Sequence, residues 1–135
     1  MKYLLDTNTC VVYLRGTHPA TKARIAAEPP GSVVLCSMVK AELIFGALRS
    51  SRPAENLQTL DVFFSGFASL PFDDAAAEDY GSIRATLTKA GTPIGPNDLV
   101  IAAIALSKSL TLVTHNVAEF RRVPGLQVED WQASP

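Results

Sequence analysis

The stretch KYLLDTNTC, Lys2 to Cys10, decides the fold. Its apolar run KYLL ends at Asp6-Thr7-Asn8, residue types that favour the N-cap of a helix. A short apolar run closed by cap residues predicts a buried strand passing directly into a helix. That helix carries Val11, Val12 and Leu14 inward and stops at Gly16. The same order recurs down the chain. Ser32 to Cys36 (SVVLC) predicts a second buried strand. Ser37 then caps a helix from about Val39 to Arg49, with Leu43, Ile44, Ala47 and Leu48 on its apolar stripe. Leu110 to Val113 (LTLV) predicts a third strand, with one helical turn over Asn116 to Arg121 behind it.

Helix and turn signals fill the intervals. Pro19, behind Thr17-His18, opens a helix to about Ala27, and Pro29-Pro30-Gly31 forces a turn. Pro53 opens a helix through Leu57, Leu60, Phe63 and Phe64. Leu70 to Phe72 reads as a short strand, and Asp73-Asp74 starts a long helix to about Lys89, ended by Gly91. Thr92 to Pro96 is a loop, Asn97-Asp98 starts an apolar helix to about Leu106, and Leu126 to Val128 reads as an edge strand. Strands separated by helices pair in parallel, and continuous apolar strands belong to a sheet covered on both faces. The expected fold class is therefore α/β, a parallel sheet flanked by helices. The expected organisation is one domain over residues 1–135. In such sheets ligands bind beyond the carboxyl ends of the strands.

Composition narrows the function. Of 135 residues, 47% are hydrophobic and 19% charged, which excludes an intrinsically disordered chain. The net charge of -1 does not provide the broad basic surface of many nucleic-acid binders. Contact with nucleic acid would need a local patch, metal ions held by carboxylates, or a partner chain. Cys10 and Cys36 stand in apolar stretches and read as reduced core residues. Met1 to Leu5 is too short for the apolar region of a signal peptide, and no run reaches the length of a membrane helix. A cytoplasmic protein is expected.

Three acidic residues stand out. Asp6 follows the first strand, Glu42 lies in the first turns of the helix after the second, and Asp98 opens the helix before the third. Parallel strands bring Asp6 and Glu42 to one sheet edge. Asp98 joins them only if its helix starts at that edge, which spacing leaves open because a loop precedes it. Carboxylate oxygens are hard ligands suited to Mg²⁺ or Mn²⁺, and a divalent cation relieves the mutual repulsion of clustered acids. Thr7, Ser37, Thr114 and Asn116 also fall at strand ends, where they can orient water or meet phosphate, and Glu119 offers a fourth carboxylate.

Each residue also has a plain structural reading. Asp6 and Asp98 can serve as caps, with Asn97 competing for the second, and Thr7, Ser37 and Thr114 fit turns. Glu42 resists such a reading: it sits within the otherwise apolar VKAELIFGAL, where a buried carboxylate needs a partner. His115 reads as a loop side chain, and Phe63, Phe64 and Phe67 as core or partner surface.

At these residues the chain resembles the PIN-domain ribonucleases, and among them the VapC toxins of bacterial toxin–antitoxin pairs. The resemblance spans essentially the whole chain. It rests on LLDTNTC (Leu4 to Cys10), SMVKAELIFGA (Ser37 to Ala47), GTPIGPNDLVIAA (Gly91 to Ala103) and LTLVTHNVAEFRRVPGLQVEDW (Leu110 to Trp131). By motif, Asp6, Glu42 and Asp98 match the family's catalytic metal-binding acids. Asn116 takes the fourth polar or acidic position, Glu119 the nearby glutamate, and Thr7, Ser37 and Thr114 the hydroxyl positions. The resemblance implies a parallel sheet of about five strands whose order brings the Asp98 helix start to the acidic edge. It also implies Mg²⁺ or Mn²⁺ as cofactor, RNA cleavage by a metal-activated water, homodimerisation, and a VapB-type antitoxin as partner. GTPIGPND and VPGLQVEDW look most like the subgroup that cuts initiator tRNA in the anticodon stem-loop. His115-Asn116 stands where two asparagines are usual, and Asn97 where an aromatic residue is frequent.

Two other readings compete. One is a catalytically weak module that holds RNA or an antitoxin in the same cleft, which the three intact acids disfavour. The other is a receiver-type signalling domain, which would want paired acids after the first strand and a late lysine. Asp6 is followed by Thr-Asn, and no lysine follows LTLV.

Overall fold

The computed structural model describes residues 1–132. Along the chain run β1 (Tyr3–Leu5), α1 (Thr7–Arg15), α2 (Pro19–Ala27), β2 (Val33–Cys36), α3 (Ser37–Leu48) and α4 (Pro53–Ser65). They are followed by β3 (Ser69–Leu70), α5 (Asp74–Ala90), α6 (Pro96–Ser107), β4 (Thr111–Val113), α7 (Val117–Phe120) and β5 (Val128–Glu129). The strands form one five-stranded sheet in the order β3-β2-β1-β4-β5, every pair parallel. Tyr3 of β1 stands opposite Val33 on one side and Thr111 on the other. The expected α/β class is the one observed.

The sheet centre explains the apolar strands. Leu4, Leu5, Val34, Leu35, Leu112 and Val113 are fully buried because both faces are covered. α6 is apolar all round for a related reason: it packs against both α5 and β4, and Ile101 to Ala105 are buried without a break. Cys10 and Cys36 are buried free thiols within this core.

Chain punctuation follows the sequence closely. Asp6 caps α1 by accepting from the Thr9 amide, and Gly16 closes it in the left-handed conformation (φ 66°). Asp73 caps α5, and Gly91 closes it (φ 73°). Asp73 also pairs with Lys108 at the far end of α6, 2.9 Å away. The two helices therefore run antiparallel, and the loop joining their other ends returns α6 to the carboxyl edge of the sheet.

Several expectations are corrected. Ser37 is not a cap: it is the first residue of α3, and the preceding cap residue, Cys36, makes no side-chain capping bond. The buried stripe of α3 is Val39, Leu43 and Ala47, whereas Ile44 and Leu48 face outward, Leu48 at 58% exposure. The helix begins at Ser37 directly after β2, and its inward face follows the spacing of four that joins Val39, Leu43 and Ala47. Neither Asn97 nor Asp98 caps α6, because Pro96 already opens the helix and Gly95 holds the cap position. β3 covers Ser69–Leu70 rather than Leu70 to Phe72, and β5 covers Val128–Glu129 rather than Leu126 to Val128.

Candidate active site

The acidic residues meet at the carboxyl edge of the central strands. Asp6 leaves β1 there, and its amide donates to the Val113 carbonyl of β4 (3.0 Å), fixing the start of α1 against the end of that strand. Asp6 is 5% exposed. It accepts from the Thr9 amide at 2.8 Å, and the Thr114 hydroxyl hydrogen-bonds to it as well. Burial raises its pKa, these hydrogen bonds lower it, and the charge of Glu42 raises it; the net direction is upward.

Glu42 sits one turn into α3, half-buried. Its two oxygens have different partners. Thr7 donates its hydroxyl to Oε1 at 2.6 Å, and Asn97 donates its amide to Oε2 at 3.4 Å. Three elements, the starts of α1, α3 and α6, are thereby tied together at one carboxylate. Asp98, one residue beyond Asn97, is half-buried and uncapped. Its pKa is pushed up to about 6, first by burial and then by the charges of Glu119, Glu42 and Asp6. A hydrogen bond between the Asp98 and Glu119 carboxyls adds to the rise, since such a bond requires a proton on one of them. Glu119, on α7, also accepts from the Gly95 amide at 3.1 Å and from the Asn116 side-chain amide.

Asp6, Glu42, Asp98 and Glu119 thus share one electrostatic field. Thr7 and Thr114 touch it directly, and Asn116 reaches it through Glu119. Asn116 also donates its backbone amide to the buried Thr114 hydroxyl (3.0 Å). Ser37 does not join them. Its hydroxyl donates at 3.4 Å to the Leu70 carbonyl, between the ends of β2 and β3.

Other members of the network had weaker signals in the sequence. Thr9 is 2% exposed and binds both the Asp6 carboxylate, through its amide, and the Val113 carbonyl, through its hydroxyl (3.2 Å). Its place three residues after a capping Asp was the available clue. Asn97 reads as a cap candidate but orients Glu42 instead. Asp130, which holds His115 Nδ1 at 2.9 Å, comes from beyond β5 and had no local signal.

The donor set fits a hard divalent cation. Among the described residues, no three His, Cys, Asp or Glu side chains converge tightly enough to ligate one ion directly. Mg²⁺ does not require that, because it keeps several waters and takes one or two carboxylates. An all-oxygen cluster with no cysteine or histidine in it, and with one acid held well above the ordinary carboxylate range, is the environment a cation would relieve.

A parallel sheet of this order, with acids gathered at its carboxyl edge, defines an α/β domain whose site suits a divalent cation. Residues 3–126 match the family profile described as the PIN domain. The chain is 39% identical over 131 residues to the tRNA(fMet)-specific endonuclease VapC of Salmonella typhimurium, covering 97% of this chain and 98% of that one. It is 40% identical, with the same coverage, to the tRNA(fMet)-specific endonuclease VapC of Shigella flexneri. Its fold superposes with a TM-score of 0.92 on a chain of the DNA-bound VapBC of Salmonella typhimurium, at 39% identity and covering 97% and 98% of the two chains. For VapBC-1 of nontypeable Haemophilus influenzae the TM-score is 0.90 at 34% identity, with 98% and 100% covered. The chain belongs to the PIN-domain family, in its VapC branch.

Proposed function

We propose that this protein is a divalent-metal-dependent endoribonuclease and the toxin of a toxin–antitoxin pair, with initiator tRNA as its substrate. The observation that carries the reading is the shared field of Asp6, Glu42, Asp98 and Glu119, in which Asp98 is pushed up to about 6. The similarity of nearly the whole chain to tRNA(fMet)-specific endonucleases supports the substrate.

Asp6, Glu42 and Asp98 would hold Mg²⁺ or Mn²⁺, one or two of them directly and the rest through the ion's own waters, with Glu119 and Asn116 beside them. When bound, the metal supplies Lewis acidity at the phosphodiester and makes water a better nucleophile. The chain's own residues prepare the place. Thr7 and Asn97 fix the rotamer of Glu42, and Thr9 and Thr114 fix Asp6. The Asn116 amide restrains Glu119, which is also tied to the Gly95 backbone. A carboxylate set held this way loses little freedom when a cation arrives. With water as nucleophile the ribose 2′-hydroxyl takes no part in the chemistry, so selection of RNA falls to binding.

A VapB-type antitoxin is the proposed partner, supported by the solved VapBC relatives. A homodimer is proposed with it. The outward side chains Phe45 (62% exposed), Leu48 and Val62 (76%) offer the apolar surface that partner chains cover.

The test is cleavage of purified tRNA by the wild type and by Asp98→Asn, each with Mg²⁺, Mn²⁺ or EDTA. One tRNA cut by the wild type alone, and only with metal, is the expected outcome. Cleavage that persists in EDTA or in the variant would overturn the assignment.

A further inference from the structure

A second feature lies beside the acids. Asn8, Val11, Val12 and Arg15 recur along α1 at helical spacing and form one face of a depression of about 440 Å³. His115, Asn116 and Gln132 form the other. The depression adjoins the acidic cluster on two elements. Asn8 follows Thr7, which holds Glu42, and Asn116 holds Glu119. Val11 and Arg15 also border a second groove of about 380 Å³, lined by Thr7, Glu42 and residues of α3 and α4. Arg15 is thus a cation shared by two hollows, one lined by Glu42 and the other by Asn116, which bonds Glu119. Among the described residues Arg15 forms no ion pair, whereas Arg24 and Arg52 each do. His115 is exposed but anchored: Asp130 holds Nδ1 and is itself fixed by the Gln132 amide (2.9 Å), and Nε2 has no hydrogen-bond partner among the described residues.

We propose that this depression binds the RNA nucleotide next to the scissile phosphate, with Arg15 holding a backbone phosphate and His115 and Asn8 contacting the nucleoside. The inference rests on the ribonuclease reading above. Four carboxylates repel an RNA strand, and a chain of net charge -1 has no general basic surface to offset that, so a cation beside the cleft is needed to seat the neighbouring phosphate. A guanidinium suits phosphate, and an imidazole with side-chain amides suits the face and edges of an unstacked base. Arg15, His115 and Asn8 are binding and positioning residues; they do not touch the reacting bond.

The experiment uses the full chain in EDTA, where RNA binds without being cut, and a labelled initiator-tRNA anticodon stem-loop as probe. Arg15→Ala and His115→Ala should each weaken binding about tenfold. Arg15→Ala should also flatten the slope of log K against log salt by about 0.7 to 0.9, the signature of one lost phosphate contact. With Mg²⁺, both should raise KM far more than they lower kcat. Arg15→Lys should recover most of the salt slope, which a structural role would not explain. Wild-type affinity and slope in Arg15→Ala, with cleavage by the wild type intact, would overturn this inference and leave the ribonuclease reading standing. A wild type that neither binds nor cuts the stem-loop or any other tRNA would overturn both.

Discussion

α5 and α6 lie side by side, and each has an aspartate at its start with an opposite fate. Asp73 caps α5, accepts from the Ala76 amide at 3.0 Å and pairs with Lys108 at 2.9 Å. Its pKa is held below the ordinary value, chiefly by the Ala76 hydrogen bond and then by Lys108. Asp98 sits in the first turn of α6, has no cation beside it among the described residues, and faces Glu119, Glu42 and Asp6. Its pKa is pushed up to about 6. The same side chain near a helix N-terminus is structural in one place and poised for a cation in the other. What surrounds the carboxylate decides its role. Free energy spent holding Asp98 among other anions is recovered only when a positive charge arrives.

The comparison breaks most directly at Asp98. Asp98→Asn should remove a group worth several kcal/mol of charge stabilisation in the cleavage step, about 100-fold or more in rate, measured on the tRNA substrate. The variant should melt no lower than the wild type in EDTA, because it removes a repelled charge. Glu42→Gln tests a neighbour that keeps its Thr7 partner. It should lose roughly tenfold to 100-fold in cleavage at a fixed Mg²⁺ concentration, with part of the loss restored by more metal. Retained full activity would show that Glu42 only braces the fold.

Asp73→Ala is the counterpart. It should lower Tm by a few degrees through loss of the cap and the Lys108 pair, with the cleavage rate kept. A large loss of cleavage there would collapse the distinction between the two aspartates.

The smallest effect is a pH dependence of opposite sign at the two sites. Without metal, folded Asp98 binds its proton more tightly than the unfolded chain does. It therefore weakens the fold above about pH 6, and that penalty is relieved as pH falls from about 6 toward the ordinary carboxylate value. Asp73, with its pKa lowered, contributes stability above the ordinary value and loses it as pH falls further. Melting curves from pH 7 to 4 in EDTA, compared with Asp98→Asn, should show the wild type gaining on the variant as the pH drops. Parallel curves would mean that Asp98 is not strained.

The elements of the sheet were legible because strand and helix signals alternate without a break and Asp, Pro and Gly punctuate the helices at Asp6, Gly16, Pro19, Pro53, Asp73 and Gly91. The phase of α3 was not. α3 is apolar around most of its circumference, so apolar spacing alone does not single out the buried face, and Ile44 and Leu48 lie on the outward side. Asp6 and Glu42 could be placed at one edge from parallel pairing. Asp98 could not, because its position depends on α5 and α6 forming an antiparallel pair, a contact fixed by Asp73 and Lys108 across 35 residues of sequence. The resemblance to PIN domains supplied that step. Ser37, carried over as a hydroxyl near the site, bonds the Leu70 carbonyl of β3, a neighbour 33 residues away that no local pattern encodes. His115 and Asp130 meet only because β5 lies beside β4, and so their pairing has no trace in either segment alone.

The central claim is that the carboxylates around Asp98 form a divalent cation site. Titration of the metal-free protein with Mn²⁺, followed by calorimetry and by the rise in Tm, tests it most directly. The account predicts saturable binding and a clear rise in Tm for the wild type, and the loss of both in Asp98→Asn. Equal Mn²⁺ binding by the two proteins, or none by the wild type, would contradict it.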